Sequence, residues 1–136
     1  MNKLDLKTIG LITTFEKITR SHVKNVLLDK VNQVVFIVNE GEAGKAIGKG
    51  GVNIKKLSFL LKKKIRVIEF NPDMKEFIKN CIAPLKVDAI QIEEKKVVLR
   101  AKSRQIRAQI IGRDKTNLKE LNQLLKKYFD TEISVE

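Results

Sequence analysis

The chain states one pattern twice. Residues 46–57 read Ala-Ile-Gly-Lys-Gly-Gly-Val-Asn-Ile-Lys-Lys-Leu, and residues 110–121 read Ile-Ile-Gly-Arg-Asp-Lys-Thr-Asn-Leu-Lys-Glu-Leu. A shift of 64 positions places Gly48 on Gly112, Ile47 on Ile111, Asn53 on Asn117, Ile54 on Leu118 and Leu57 on Leu121. The same shift puts Leu60 and Leu61 on Leu124 and Leu125, and Val34 and Val35 on Val98 and Leu99. In 136 residues, a duplication of this length requires a fold that half the chain can build, made twice. Asn71-Pro72-Asp73 breaks the chain between the copies and suits a helix start. The expected domains are therefore 1–70 and 71–136.

Hydrophobic periodicity gives each copy the same order of elements. Leu4 to Arg20 carries a helical apolar stripe. Residues 23–28 and 33–39 are rich in Val, Ile and Leu on either side of a turn at 29–32, and predict a strand pair. A short helix ends near Ile47, a longer one runs from about Val52 to Lys63, and a third strand covers Ile65 to Phe70. The second copy predicts a helix over 73–81, strands at 86–93 and 95–102, and a helix over 104–110. A further helix to Lys127 and a strand over 131–135 complete it. Each unit is α-β-β-α-α-β, an α+β fold.

Charge narrows the partner. There are 28 Lys and Arg against 16 Asp and Glu, a net charge of +12, which points to a polyanion. From Ala43 to Arg66 there are eight basic residues and no acid. Residues 1–68 carry +9 and residues 69–136 carry +3, so the first copy supplies most of the attraction. The longest apolar run, Val34 to Val38, is far too short for a membrane helix, and the basic residues gather at turns rather than along one amphipathic face. No membrane partner is expected. A single cysteine, a single histidine and the absence of a secretory signal at Met1 to Asp5 predict a reduced, cytoplasmic setting with no metal site.

Gly48-Lys49-Gly50-Gly51 lies between two predicted helices. Glycine tolerates positive φ, leaves the backbone open to a ligand, and precedes a helix whose N-terminus favours anions. Those properties suit a phosphate. The nucleoside-triphosphate loop does not fit, because Gly44 and Gly48 enclose three residues instead of four and Gly50 follows Lys49 where Ser or Thr is needed. The dinucleotide fingerprint fails at Asn53, where it needs a third glycine. No nucleophile, acid–base pair or ligand cluster is spaced for catalysis, so neither an enzyme activity, a cofactor nor a small-molecule substrate is expected.

Ile47-Gly48-Lys49-Gly50-Gly51-Val52-Asn53-Ile54 resembles the signature of KH domains, and the helix-first order resembles their type II form. Two such domains in tandem, with helices packed on one face of a three-stranded sheet, resemble the archaeal NusA-like transcription factors over about residues 4–135. The resemblance implies that Gly48, Lys49, Gly50 and Gly51 clamp the backbone of about four unpaired RNA nucleotides. It implies that Ile47 and Ile54 form the floor under the bases, with Lys45, Lys55 and Arg66 adding charge. The implied partners are single-stranded RNA, the nascent transcript, and RNA polymerase; a ribosome-associated or RNA-processing KH protein is the alternative.

The second loop departs from the pattern. Gly112 is followed by Arg113, Asp114 and Lys115, so the closing glycine is lost and an acid stands at the tip. Lys115 is expected to restrict the turn and Asp114 to cap the following helix. Ile111, Gly112, Arg113, Lys115 and Lys119 are expected to extend an RNA site rather than to grip alone. Arg104 and Arg107 either line this second groove or are plain surface. Phe15, Phe36, Phe59, Phe70, Phe77 and Tyr128 are read as core rather than base-stacking residues, Cys81 as a small buried apolar residue, and His22 as packing or surface.

Overall fold

The computed structural model describes residues 6–28 and 30–136. The expected helix start at Leu4 and Asp29 of the first turn lie outside them. The chain divides into two compact units, Met1–Pro72 and Asp73–Glu136.

The first unit runs α1 (Leu6–Thr19), β1 (Val23–Leu27), β2 (Gln33–Val38), α2 (Ala43–Ile47), a single 3₁₀ turn (Lys49–Gly51), α3 (Val52–Leu61) and β3 (Lys64–Glu69). Strand β2 is central. It pairs antiparallel with β1, as a short hairpin permits, and parallel with β3, which requires a crossover. That crossover is α2, the glycine turn and α3. The glycine turn is thus carried on a connection anchored at both ends by neighbouring strands.

The core explains the strand order. Phe15 of α1 stacks on Phe36 of β2 with ring centroids 4.0 Å apart, and Val34, Val38, Ala46, Leu57 and Ile65 complete the cluster. All five residues of the Val34–Val38 run are buried, as expected of a central strand.

The second unit repeats the order with α4 (Met74–Ile82), β4 (Ala89–Glu93), β5 (Lys96–Arg100), α5 (Arg104–Ile111), a 3₁₀ turn (Arg113–Lys115), α6 (Thr116–Phe129) and β6 (Glu132–Val135). Its sheet order is β4-β5-β6, again antiparallel then parallel. Asp73 caps α4 by accepting from the Lys75 amide at 3.1 Å. The strand expected from residue 86 begins only at Ala89. Asp88 is turned to another task, its carboxylate accepting from the Lys102 amide at 2.6 Å.

One feature of the internal alignment is corrected by register. Val34 pairs with Ile65 in the first sheet, and Val97 pairs with Ile133 in the second. Val97 and Leu99 are fully buried, matching Val34 and Phe36. The partner of Val34 is therefore Val97, not Val98. In the central strand the shift is 63, one residue shorter than at the glycine turns, and a slip of one residue exchanges the two faces of a strand.

The start of α2 is held by two carboxylates, Glu69 on its first amide and Glu42, its N-cap residue, on His22. Glu69 of β3 accepts from the Ala43 amide at 3.0 Å. Glu42 accepts from the backbone amide of His22 at 2.9 Å and lies 3.1 Å from its ring Nδ1. Burial alone would raise the Glu42 pKa. The hydrogen bonds from His22 and the charges of His22 and Lys45 outweigh it and hold the carboxyl below its ordinary 4.5. A carboxyl lowered in the folded state stabilises above its unfolded pKa, and that contribution vanishes as pH falls through the folded value. Glu42→Gln is therefore expected to melt below the parent at neutral pH, with the two melting curves converging as pH drops from 4.5 into the lower range. Thermal melts across pH check this; a constant gap would contradict it.

Candidate nucleic-acid interface

The glycine turn is shaped by a side chain from the helix that follows it. Asn53, in the first turn of α3, donates from Nδ2 to the Lys45 carbonyl at 3.0 Å. It thereby satisfies an orphan carbonyl near the end of α2 and ties the two helices together. Gly48 lies beneath this tie with φ 80° and ψ 163°, a conformation essentially confined to glycine. A Cβ there would stand 2.9 Å from Val52 Cγ1 and 3.0 Å from Asn53 Cγ.

The backbone then closes a 3₁₀ turn. The Gly51 amide donates to the Gly48 carbonyl at 3.0 Å, and the Val52 amide donates to the Lys49 carbonyl. Among the described residues, none accepts from the amides of Lys49 and Gly50. Both residues are exposed, and the space beside Gly50 and Gly51 is open for at least 4 Å. Two unpartnered amides and an exposed lysine, in a stretch from Ala43 to Arg66 that holds no acid, suit an anion.

The second loop has nearly the same shape. Gly112 adopts φ 77° and ψ 168°, and Asn117 Nδ2 donates to the Gln109 carbonyl at 3.0 Å. Asp114 at φ 54° and Lys115 at φ 61° reproduce Gly50 at 65° and Gly51 at 76°. The expectation that Lys115 restricts the turn is thus corrected. It enters the left-handed region instead, at a cost of roughly 1–2 kcal/mol for a side chain with a Cβ. The expected cap at Asp114 is also absent: Lys115 holds the N-cap position of α6, with no side-chain hydrogen bond. Asp114 is one residue too early, and its carboxylate stays exposed at the tip.

The remaining candidates separate clearly. Lys49, Lys55, Arg113, Lys115 and Lys119 are exposed, and Ile111 is half-buried beside Gly112. Lys45 is exposed and lies 3.8 Å from Glu42. Ile47 is 39% exposed and offers apolar surface beside the turn, whereas Ile54 packs partly against the Phe15 cluster. Arg66 is not brought to the loop. Its neighbours Ile65 and Val67 face the helices, so alternation directs Arg66 to the other face of the sheet. Arg107 is neither groove nor free surface, because its guanidinium binds the carbonyls of Ala101 and Lys102. Phe59, read as core, is 81% exposed. The positioning roles of Asn53, Asn117 and Glu69 were missed, although the coincidence of the two asparagines was a signal for the first pair.

A family described as KH domain matches residues 12–100. Several curated relatives carry the name "Probable transcription termination protein NusA". That of Methanococcus vannielii is 40% identical over 92 residues, 68% of this chain and 53% of that one. The chain thus spans about half the length of that relative. The Methanocaldococcus jannaschii protein is 34% identical over 129 residues, covering 93% of this chain and 70% of its own. The Halobacterium salinarum protein is 30% identical over 122 residues, with 88% and 87% covered. The crystal structure of a protein designated APE1850 superposes with a TM-score of 0.76 at 31% identity, covering 98% of this chain and all of that one.

The loop geometry sets two opposite stability effects. Gly48→Ala is expected to cost about 1–3 kcal/mol, because it combines a glycine-only conformation with a collision at Asn53. Lys115→Gly is expected to gain roughly 1 kcal/mol by releasing a left-handed lysine. Denaturant unfolding of both variants checks the pair; a neutral Gly48→Ala would contradict the packing described.

Proposed function

This chain belongs to the KH-domain family, beside archaeal proteins of the NusA type, and from that membership we propose that it binds single-stranded RNA as two tandem type II KH domains. In this reading it catalyses no reaction. It acts in the cytoplasm on the nascent transcript, in elongation or termination, with RNA polymerase as its protein partner. The observation that carries the reading is the pair of exposed, unpartnered amides at Lys49 and Gly50, set in a stretch of 24 residues without an acid.

The mechanism follows from range. Long-range attraction by the basic first unit gathers the strand. A phosphodiester then seats on the two amides, with Lys49 closing over it by charge-assisted contact. Ile47 offers an apolar edge to the adjacent base, and Gly50 and Gly51 let the backbone approach without a side chain in between. Arg66, on the far side of the sheet, has no part in this seat. In the second loop the amides of Arg113 and Asp114 are presented in the same way, and Arg113, Lys115 and Lys119 supply positive charge. The Asp114 carboxylate repels the phosphate, so this copy extends the site and holds RNA less firmly.

Replacing Lys49 and Gly50 together by Asp tests the seat. The fold accommodates an Asp in the conformation of Gly50, since Asp114 occupies it in the second loop. The double variant is expected to stay folded and to lose about tenfold or more in affinity for labelled single-stranded RNA. Arg113→Asp is expected to lose less. Parent affinity should fall with salt at a log–log slope near −0.7 for each phosphate neutralised. A folded double variant that binds like the parent would overturn the assignment.

A further inference from the structure

Helix α3 turns an aromatic ring to solvent. With Leu57 buried at the core, the helical repeat puts Val52, Lys55, Lys56 and Phe59 on the opposite side. Phe59 is 81% exposed, far more than a phenylalanine that serves packing. The second copy shows that the fold does not need it. The matching positions of α6 are Thr116, Lys119, Glu120 and Gln123, of which Glu120 is buried, and α6 packs on its own sheet with none of them apolar.

We propose that this outer face of α3 is a second RNA contact, in which an unpaired base stacks on Phe59 while Lys55 and Lys56 hold the adjoining phosphates. The proposal rests on the RNA-binding reading above and extends its site. Three features select a nucleic acid as the occupant. The face is continuous with the glycine turn, because Val52 follows Gly51 directly. Phe59 lies about 10 Å further along the same helix axis, at about 1.5 Å per residue. The surrounding stretch from Ala43 to Arg66 carries eight cations and no anion, which suits a polyanion that also offers flat apolar faces. A strand leaving the amides of Lys49 and Gly50 along α3 meets the lysines first and the ring next. This contact also gives the first copy a grip that the second lacks.

The test uses the full chain and two labelled single-stranded RNAs, one of about four nucleotides and one of about ten. The variants are Phe59→Gln, which installs the residue type of the second copy, Phe59→Trp, and the Asp replacement of Lys49 and Gly50. Circular dichroism checks that each is folded. Phe59→Gln is expected to lose about fivefold to a hundredfold on the longer RNA, the span that stacking one base is worth, and nothing on the shorter. Phe59→Trp is expected to keep the longer RNA, and its indole, the sole tryptophan in the chain, to be quenched on binding. If Phe59→Gln binds both RNAs like the parent while the loop variant loses both, the second contact is refuted and the loop reading stands. If the loop variant also binds both like the parent, the RNA reading itself fails. Quenching of Phe59→Trp by poly-glutamate but not by RNA would assign the face to an acidic protein segment and refute the proposal.

Discussion

The tie from the Asn53 amide to the Lys45 carbonyl governs the architecture of the glycine turn. Two helix ends meet at an angle, and one of them exposes carbonyls that no intrahelical donor reaches. An asparagine in the next helix fills that need only by coming within reach of Gly48, so no larger residue fits there. The demand recurs at Asn117 and Gly112, where the clash distance to an added Cβ is even shorter, 2.7 Å. With both ends of the turn fixed in this way, the amides of residues 49 and 50 are left without an acceptor among the described residues. Positioning of the proposed phosphate seat is thus a consequence of satisfying one backbone carbonyl.

The two copies keep the shape and differ in the electrostatics. Their turns adopt matching dihedral angles although glycines at 50 and 51 are answered by Asp114 and Lys115. Backbone conformation is over-determined by the asparagine tie and the 3₁₀ hydrogen bonds, so it survives a modest left-handed penalty. Charge has no such protection. A single carboxylate at the tip changes what the turn attracts, and the surface of the following helix changes from aromatic and basic to polar. Divergence of this kind between the two copies leaves the first turn free of acids and the second with a carboxylate at its tip.

Much of the fold was legible in the chain because its elements are local. The α-β-β-α-α-β order follows from periodicity, and the duplication from the glycine turns. What the sequence concealed had physical causes. Helix α3 is apolar nearly all round, with Val52, Ile54, Leu57, Phe59, Leu60 and Leu61 in ten residues, so no single face was marked as buried. Leu60 and Leu124 occupy matching positions yet are 54% and 2% exposed. The side of β3 on which Arg66 stands depends on which face the helices cover, a tertiary fact. The one-residue offset between Val34 and Val97 was hidden because Val97, Val98 and Leu99 are all apolar, and only pairing with Ile133 fixes the register. Charge and the exposed tip were readable directly; the asparagine tie required knowing where the Lys45 carbonyl points.

The central claim is that two main-chain amides receive a phosphodiester. Amide-resolved NMR of the ¹⁵N-labelled chain, titrated with single-stranded RNA, addresses those two protons individually. The account predicts that the largest downfield shifts fall on the amides of Lys49 and Gly50, with smaller ones at Arg113 and Asp114. Saturation of the RNA signal with the Lys49 and Gly50 resonances unmoved would contradict it.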